Sequence, residues 1–238
     1  MTDFNRRQFL KALGLGSAVV AAPAILSAAT AAPKVVVIGG GFAGATAAKY
    51  LRHWGPEIDV TLIEPNAQYQ SCILSNLVLN NSLALDSITF NYDTLRSGYG
   101  VNVVTDWVSG IDPVNHTVSL SSGASLPYDR LIVAPGVTFD SVPGLDHDLV
   151  PHAWKAGSQT LLLKQQLAAM EAGGTFVMTV PKAPYRCPPG PYERACLVAD
   201  YLRTNKPGSR VVVLDANAGI MAEKETFSHA FEVTYGDM

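Results

Sequence analysis

The sequence predicts an α/β fold built on parallel β-sheets. A continuous β-branched run at residues 35–38 is typical of a strand buried on both faces of such a sheet. A glycine-rich turn and a helical segment separate this run from a second strand at residues 60–64, VTLIE. Further along the chain, a helical segment separates the strand-like stretches 175–181 and 210–215 in the same order. Two successive α/β units are therefore expected.

Three glycines follow the first strand with the spacing G-x-G-x-x-G: Gly39, Gly41 and Gly44. In this pattern the first glycine allows a tight turn, the second leaves room for a pyrophosphate, and the third lets the helix lie close to the strand. The helix N-terminus then presents unsatisfied N–H groups and the positive end of its dipole to the phosphates. Residues 34–65 are therefore predicted to form a Rossmann-like dinucleotide-binding unit.

An acidic residue completes this unit. Glu64 ends the second strand, twenty residues after Gly44, where a carboxylate accepts hydrogen bonds from a ribose 2′-hydroxyl. A carboxylate there disfavours the extra phosphate of NADP. The spacing is shared by FAD and NAD sites, so it leaves both open.

The N-terminus, residues 1–31, is predicted to be an export signal rather than part of the fold. The twin arginines Arg6 and Arg7 make it resemble a Tat signal, and Ala29-Thr30-Ala31 fits a cleavage site. A retained anchor is the alternative, but the apolar stretch is interrupted by glycine and proline and is short for a bilayer span. The mature chain is expected in a bacterial periplasm, without membrane insertion.

Composition excludes other classes of function. Residues 32–238 carry 14 basic and 19 acidic side chains, so nothing indicates nucleic-acid binding. Three cysteines, Cys72, Cys187 and Cys196, are too few for a disulfide scaffold. The histidines outside the motifs show no spacing for a metal ligand set, and no metal site is expected: His53, His116, His147 and His229.

The chain divides at about residue 150 in this interpretation, giving domains at 33–150 and 151–238. The first domain contains a helix at 91–100 and β-type stretches at 114–120 and 128–134. It ends near Gly136, where the backbone can again approach a ligand closely.

The second domain begins with a helix at 158–172, followed by the strand 175–181. In two-domain flavoenzymes that use NADH, a second glycine fingerprint follows this strand. Here the turn reads PKAPYRCPPGPYERA, and its prolines remove amide donors. No NAD(P) site is therefore expected. The chain reaches residue 238 without completing this unit, so it is expected to be truncated.

Several phrases together carry a resemblance to a known family. They are VVVIGGGFAGATAAKY, VTLIEPN, the C-x-L-S-N loop around Cys72, YDRLIVAPG, PHAWKAG (Pro151 to Gly157) and YRCPPGPYERA (Tyr185 to Ala195). Over residues 33–238 the chain resembles the flavoprotein subunit of flavocytochrome c sulfide dehydrogenase. The resemblance implies a two-domain fold of the pyridine nucleotide-disulfide reductase type.

This resemblance also implies FAD as the cofactor. Its ADP half would lie on Gly39, Gly41, Gly44 and Glu64. In the family, the cysteine of the C-x-L-S-N loop is joined covalently to the 8α-methyl group of the flavin, and that position is Cys72. From the residues alone, a small buried side chain is favoured over covalent attachment at Cys72.

Cys187 matches one of two family cysteines that form a redox disulfide beside the flavin. The neighbouring Arg186 and Arg194 are cations that favour a thiolate. In the family, hydrosulfide attacks the disulfide, the released thiolate passes two electrons to FAD, and FAD reduces the haem of a c-type cytochrome subunit. Sulfide becomes sulfur or polysulfide, and the haem belongs to the partner alone.

The sequence departs from the family in one respect. The second redox cysteine of complete members lies in a C-terminal half that is absent here, and Cys196 is interpreted as a core residue. His152 and Trp154 are expected to pack where the chain crosses between domains. Two alternatives stay open: a sulfide:quinone oxidoreductase-like enzyme, or an inactive FAD-binding remnant.

Overall fold

The structure is a computed structural model that describes residues 31–152 and 154–237. The predicted export signal, with its twin arginines, falls on residues 1–30 and so lies outside the described residues.

The first part of the chain alternates strands with short helices. Its elements are β1 (Lys34–Ile38), α1 (Phe42–Trp54), β2 (Asp59–Ile63), β3 (Gln68–Gln70), α2 (Asn76–Leu79), β4 (Thr89–Asn91), α3 (Asp93–Tyr99), β5 (Asn102–Val104), β6 (Val108–Asp112), β7 (Thr117–Leu120), β8 (Ser125–Pro127) and β9 (Arg130–Val133). A 3₁₀ turn, Leu85–Ile88, precedes β4. The second part contains α4 (Ser158–Ala169), β10 (Thr175–Val180), α5 (Gly190–Asn205), β11 (Arg210–Asp215) and α6 (Lys224–His229), which continues as a π-helical turn over Ala230–Thr234.

Four strands form a parallel sheet in the order β5-β2-β1-β9. Alternate residues of β1 enter two different cores. Val35 and Val37 pack with Ala48 of α1, whereas Val36 and Ile38 pack in a second cluster with residues of β7. This two-sided burial explains the continuous β-branched run and confirms the predicted α/β class.

The smaller sheet β6-β7-β8 is antiparallel, and sequence reasoning found only part of it. The stretch predicted at 114–120 becomes a strand only at Thr117, because Val114 lies in the preceding turn with 86% of its surface exposed. Strands β6 and β8 were missed. Both owe their form to the hydrogen-bonded ladder with β7 rather than to an apolar pattern of their own.

In the second part, β10 and β11 pair in parallel over six residues. Helices α4 and α5 share a core that includes Leu163, Leu167, Val198 and Leu202. Helix α4 ends at Ala169, three residues before the predicted end, because Met170 is extended (ψ 134°). The predicted division at residue 150 remains a prediction.

Candidate nucleotide and thiol site

The carboxyl ends of β1, β2 and β9 lie at the same edge of the parallel sheet. Gly39 follows β1, Glu64 follows β2 and Gly136 follows β9. The strand order reverses direction between β1 and β9, since β2 and β5 lie on one side of β1 and β9 on the other. In open parallel sheets such a switch point is where a crevice forms for ligands. The structure therefore brings three predicted site residues to one edge.

The glycine turn is packed backbone against backbone. Gly39 has a φ of 97°, and a Cβ atom there would lie 2.1 Å from the Ala134 carbonyl oxygen. A Cβ atom at Gly44 would lie 1.8 Å from the Gly39 carbonyl oxygen. A Cβ atom at either position would overlap a backbone oxygen. The turn and α1 can therefore pack this closely only when residues 39 and 44 are both glycine.

Helix α1 begins with an uncompensated N-terminus. Its N-cap is Gly41, which supplies no side-chain hydrogen bond, and the first turn contains no acidic residue. The amide N–H groups of this turn and the positive end of the helix dipole are thus available to an anion. Gly136, at φ 80°, has no atom within 4 Å of where its Cβ would lie, so the backbone there is open.

The Glu64 carboxylate is fixed by hydrogen bonds from the glycine turn and from Asn66. The Gly40 amide donates to Glu64 Oε2 at 2.8 Å, and the Asn66 amide and side-chain Nδ2 donate to Oε1 at 3.0 and 2.7 Å. A carboxylate offers about four acceptor positions, so a further one remains beside the glycine turn. That is the position a ribose hydroxyl requires.

Tyr92 belongs to this site and was missed by sequence reasoning. Its hydroxyl donates to the Gly40 carbonyl oxygen at 3.1 Å, and burial raises the pKa of Tyr92, which keeps it a neutral donor. A Cβ atom at Gly40 would lie 2.4 Å from that hydroxyl, so Gly40 is also constrained to be glycine. The uninterrupted GGG run was the one sequence signal of a constraint at Gly40. It could not identify Tyr92 as the cause, because Tyr92 lies 52 residues away in the sequence.

Cys72 lies in a fixed loop with an exposed side chain. Its carbonyl oxygen accepts hydrogen bonds from the Ser75 amide at 3.2 Å and the Ser75 hydroxyl at 2.7 Å. Ser71 and Ser75 are both 4% exposed, whereas the Cys72 thiol is free and exposed. The backbone is therefore anchored on both sides while the sulfur faces outward.

Cys187 lies immediately before helix α5. It has a φ of 55°, and its carbonyl oxygen accepts the Gly190 amide at 2.9 Å. A Cβ atom at Gly190 would lie 3.2 Å from the Cys187 sulfur and 3.0 Å from Cη2 of Trp154. Sulfur and indole thus share the space left by Gly190, at the positive end of a 16-residue helix.

The three cysteines of the chain are free thiols. Cys196 is half-buried in α5, about 9 Å along the helix axis from Gly190. Burial raises the pKa of its thiol, with a smaller contribution from Glu193, which is the environment of a structural rather than a reactive cysteine. The part of the chain that the structure describes contains no cluster of three or more metal-ligating side chains.

His152 and Trp154 pack against neighbouring side chains in the segment before α4, and their predicted position at a domain crossing stays a prediction. The His152 ring stacks on Phe139 with centroids 4.2 Å apart, and its Nδ1 accepts the Trp154 amide at 2.9 Å. Burial, and then the charges of His147 and Lys155, lower the pKa of His152 from 6.5 to about 4. The ring is therefore favoured in its neutral form near neutral pH.

This shift predicts an acid sensitivity. Because the folded pKa lies below the unfolded value, the contribution of His152 is complete above about pH 6.5 and is lost as pH falls towards 4. The physical reason is that burial, and then the neighbouring charges of His147 and Lys155, disfavour the protonated ring in the folded state. We expect thermal melts of His152→Asn, which keeps an acceptor and does not titrate, to show a flatter dependence on pH between 6.5 and 4.

The control is His53→Gln, a change on the exposed surface of α1. It should keep the wild-type slope. An identical slope in wild type and His152→Asn would contradict the assignment.

Comparison with known proteins decides the family. Residues 33–169 match the family model described as pyridine nucleotide-disulphide oxidoreductase. The chain belongs to this oxidoreductase family. Residues 160–238 also match the central region of the sulfide dehydrogenase [flavocytochrome c] flavoprotein chain. The resemblance inferred from the motifs is thereby confirmed, and so is the fold type.

Individual relatives of this oxidoreductase point the same way. Over 45 residues, 19% of this chain, it is 56% identical to the sulfide dehydrogenase [flavocytochrome c] flavoprotein chain of Chlorobaculum thiosulfatiphilum and covers 94% of that sequence. It is 28% identical over 78% of its length to the mitochondrial sulfide:quinone oxidoreductase of Dictyostelium discoideum.

Structural similarity to the family is broad. The sulfide:quinone oxidoreductase of Aquifex aeolicus superposes with a TM-score of 0.73 at 21% identity, over 86% of this chain. The present oxidoreductase chain spans 42% of the Dictyostelium protein and 50% of the Aquifex one. At this identity the superposition establishes the fold alone.

Proposed function

We propose that this chain is the FAD-binding part of a periplasmic sulfide dehydrogenase that passes electrons to a c-type cytochrome. The family match supports FAD binding and relatedness to sulfide-oxidising flavoenzymes. The observation that carries the proposal is the presence, in one chain, of the Gly39–Glu64 nucleotide edge and the exposed Cys187 thiol at the start of α5.

The residues at the sheet edge fit FAD by their chemistry. The free N-terminus of α1 suits the pyrophosphate, and the remaining acceptor position of Glu64 suits the ribose. Cys72 follows the β2 edge after one short strand, β3, and offers an exposed thiol for covalent attachment. When bound, FAD supplies a carrier that takes up two electrons and releases them singly.

Cys187 is the residue proposed to meet the substrate. Its sulfur is exposed, and its turn is fixed by the Gly190 amide and by two prolines. Arg186 is exposed beside it and supplies positive charge for an approaching hydrosulfide anion. Arg194 does not share that task, because its hydrogen bonds go to Asn76 and His152.

A nicotinamide cofactor is not part of the proposal. In a second nucleotide-binding unit, the acidic residue at the end of the second strand would hold a ribose. Here that residue is Asp215, whose Oδ2 accepts the Tyr192 hydroxyl at 2.7 Å and whose Oδ1 accepts two bonds from Asn217. Tyr192 is 1% exposed, so its ring fills the space beside the carboxylate.

A sulfide:quinone oxidoreductase is the second candidate, favoured by the Dictyostelium relative. Among residues 31–152 and 154–237, no helix has the length and apolar character needed to cross a membrane. The Tat-like N-terminus and the C-x-L-S-N loop favour the cytochrome-linked reaction.

Covalent flavin provides the first test. After expression in a flavin-replete host, the denatured protein is expected to be heavier by the mass of one FAD, with the addition on the Cys72 peptide. Cys72→Ser should lose the mass addition yet still bind FAD reversibly, because the sheet-edge residues remain. Cys196→Ser is the matched control and should keep the addition. A wild-type chain of unmodified mass and without bound flavin would refute FAD binding by this chain.

The electron acceptor provides the second test. With sulfide as donor, and with Cys187 first converted to a mixed disulfide so that hydrosulfide has an S–S bond to attack, the flavin-loaded protein is expected to reduce a soluble c-type cytochrome in preference to a short-chain quinone. Cys187→Ser, which cannot form that disulfide, should abolish the reaction. NADH in place of sulfide should reduce neither acceptor. Preferential quinone reduction would favour the second candidate, and NADH-driven reduction would overturn the exclusion of nicotinamide.

A further inference from the structure

Arg194 is a buried cation at the junction of three segments. It lies on α5, one turn after Gly190, and only 8% of its surface is exposed. Burial lowers the pKa of its guanidinium to about 10, so it remains charged at neutral pH. A cation is expensive to bury, and it is retained where its hydrogen bonds fix a geometry.

One of those bonds reaches the loop of Cys72. The Nε atom of Arg194 donates to Asn76 Oδ1 at 3.0 Å, across 118 residues of sequence. Asn76 is the first residue of α2 and follows directly after Ser75, whose amide and hydroxyl hold the Cys72 carbonyl. The guanidinium is therefore bonded to the segment that fixes Cys72.

Other contacts of Arg194 reach the turn of Cys187. Its Nη1 donates to the His152 carbonyl oxygen at 3.1 Å, and its guanidinium lies 5.8 Å from the centre of the Trp154 ring. The same indole reaches the space beside Gly190 that the Cys187 sulfur also borders. Contacts thus run from the Cys72 loop through Arg194 to Trp154, and Trp154 and the Cys187 sulfur both lie beside Gly190.

We propose that Arg194 is a positioning residue that fixes the Cys187 thiol relative to the Cys72 loop. This inference rests on the proposed function, in which one cysteine holds the flavin and the other meets sulfide. Arginine suits the task because its planar fork donates in two directions while its face packs on an indole. A lysine ammonium has neither the second fixed direction nor the flat face.

The test measures thiol reactivity rather than turnover. The chain is alkylated with iodoacetamide, and the rate constant of each cysteine is read from its own peptide by mass spectrometry. Asn76→Ala and Arg194→Lys are each expected to raise the Cys187 rate by roughly fivefold, because Trp154 is no longer fixed beside Gly190, next to the space that the Cys187 sulfur borders. Since both changes break the same link, the double variant should react no faster than Arg194→Lys alone.

Arg203→Lys is the matched control. Arg203 lies on the same helix, donates to the Thr234 carbonyl oxygen and packs 4.8 Å from the Tyr235 ring, yet it is exposed. It should leave Cys187 unchanged. As a second readout, the emission of Trp154, isolated by difference against Trp154→Phe, should shift in Arg194→Lys and not in Arg203→Lys.

The outcomes separate this inference from the proposed function. An unchanged Cys187 rate in natively folded Asn76→Ala, or additive effects in the double variant, would overturn the positioning role. Equal acceleration of Cys187 and Cys196 would show that Arg194 stabilises the fold in general and would also overturn the positioning role. Failure to bind FAD, measured separately by absorbance, would refute the function while the alkylation pattern still decides the role of Arg194.

Discussion

Gly44→Ala is expected to lower the free energy of unfolding by about 3–5 kcal/mol, among the largest effects of a single methyl group in this chain. Alanine normally stabilises a helix relative to glycine. At Gly44 the added carbon would lie 1.8 Å from the Gly39 carbonyl oxygen. Because that oxygen belongs to the backbone, relief requires moving α1 away from β1 and opening the glycine turn.

Gly98→Ala is the matched control in α3. The nearest atom to its added carbon is Thr94 Cγ2 at 3.7 Å, an ordinary contact. The same substitution should therefore stabilise the protein by about 0.5–1 kcal/mol. Urea unfolding followed by circular dichroism measures both. Changes of the same sign at the two positions would show that the packing of α1 on the turn is not tight.

Glu64→Gln should weaken FAD binding roughly tenfold to a hundredfold, as expected for losing a hydrogen bond to a charged group. Both carboxylate oxygens accept protein N–H groups, from Gly40 on one side and Asn66 on the other. A glutamine must turn its own NH₂ group towards one of these donors. The substitution therefore disturbs the turn as well as the ribose contact.

Affinity is best measured as quenching of FAD fluorescence in a Cys72→Ser background, so that binding stays reversible. Glu57→Gln, an exposed change just before the amino end of β2, is the control and should leave the dissociation constant unchanged. Equal weakening by both variants would mean that net charge, rather than the Glu64 contacts, determines the affinity.

Local patterns predicted the β1-α1-β2 unit well because all its determinants lie within some thirty residues. The β-branched run, the glycine spacing and the terminal acid each correspond to a contact in the structure, down to the fit of Gly44 against Gly39. The helix at 91–100 was likewise predicted from its closing glycine, which is left-handed at φ 66°.

Contacts between distant segments could not be predicted in this way. The Tyr92 hydroxyl on Gly40 and the Arg194 guanidinium on Asn76 join residues 52 and 118 positions apart, and neither side chain belongs to a local pattern that identifies its partner. Strand β8 was not predicted, because its three residues acquire their form only by pairing with β7.

The backbone contacts at the glycine turn have a consequence for hydrogen exchange. The Gly39 amide is bonded to the Ile63 carbonyl, and the Ala134 amide to the Ile38 carbonyl. The turn itself is pressed between Ala134 and α1 without an intervening side chain. It cannot open while β1, β2 and β9 stay paired, so these two amides should exchange only through global unfolding, unlike the amides of most surface loops.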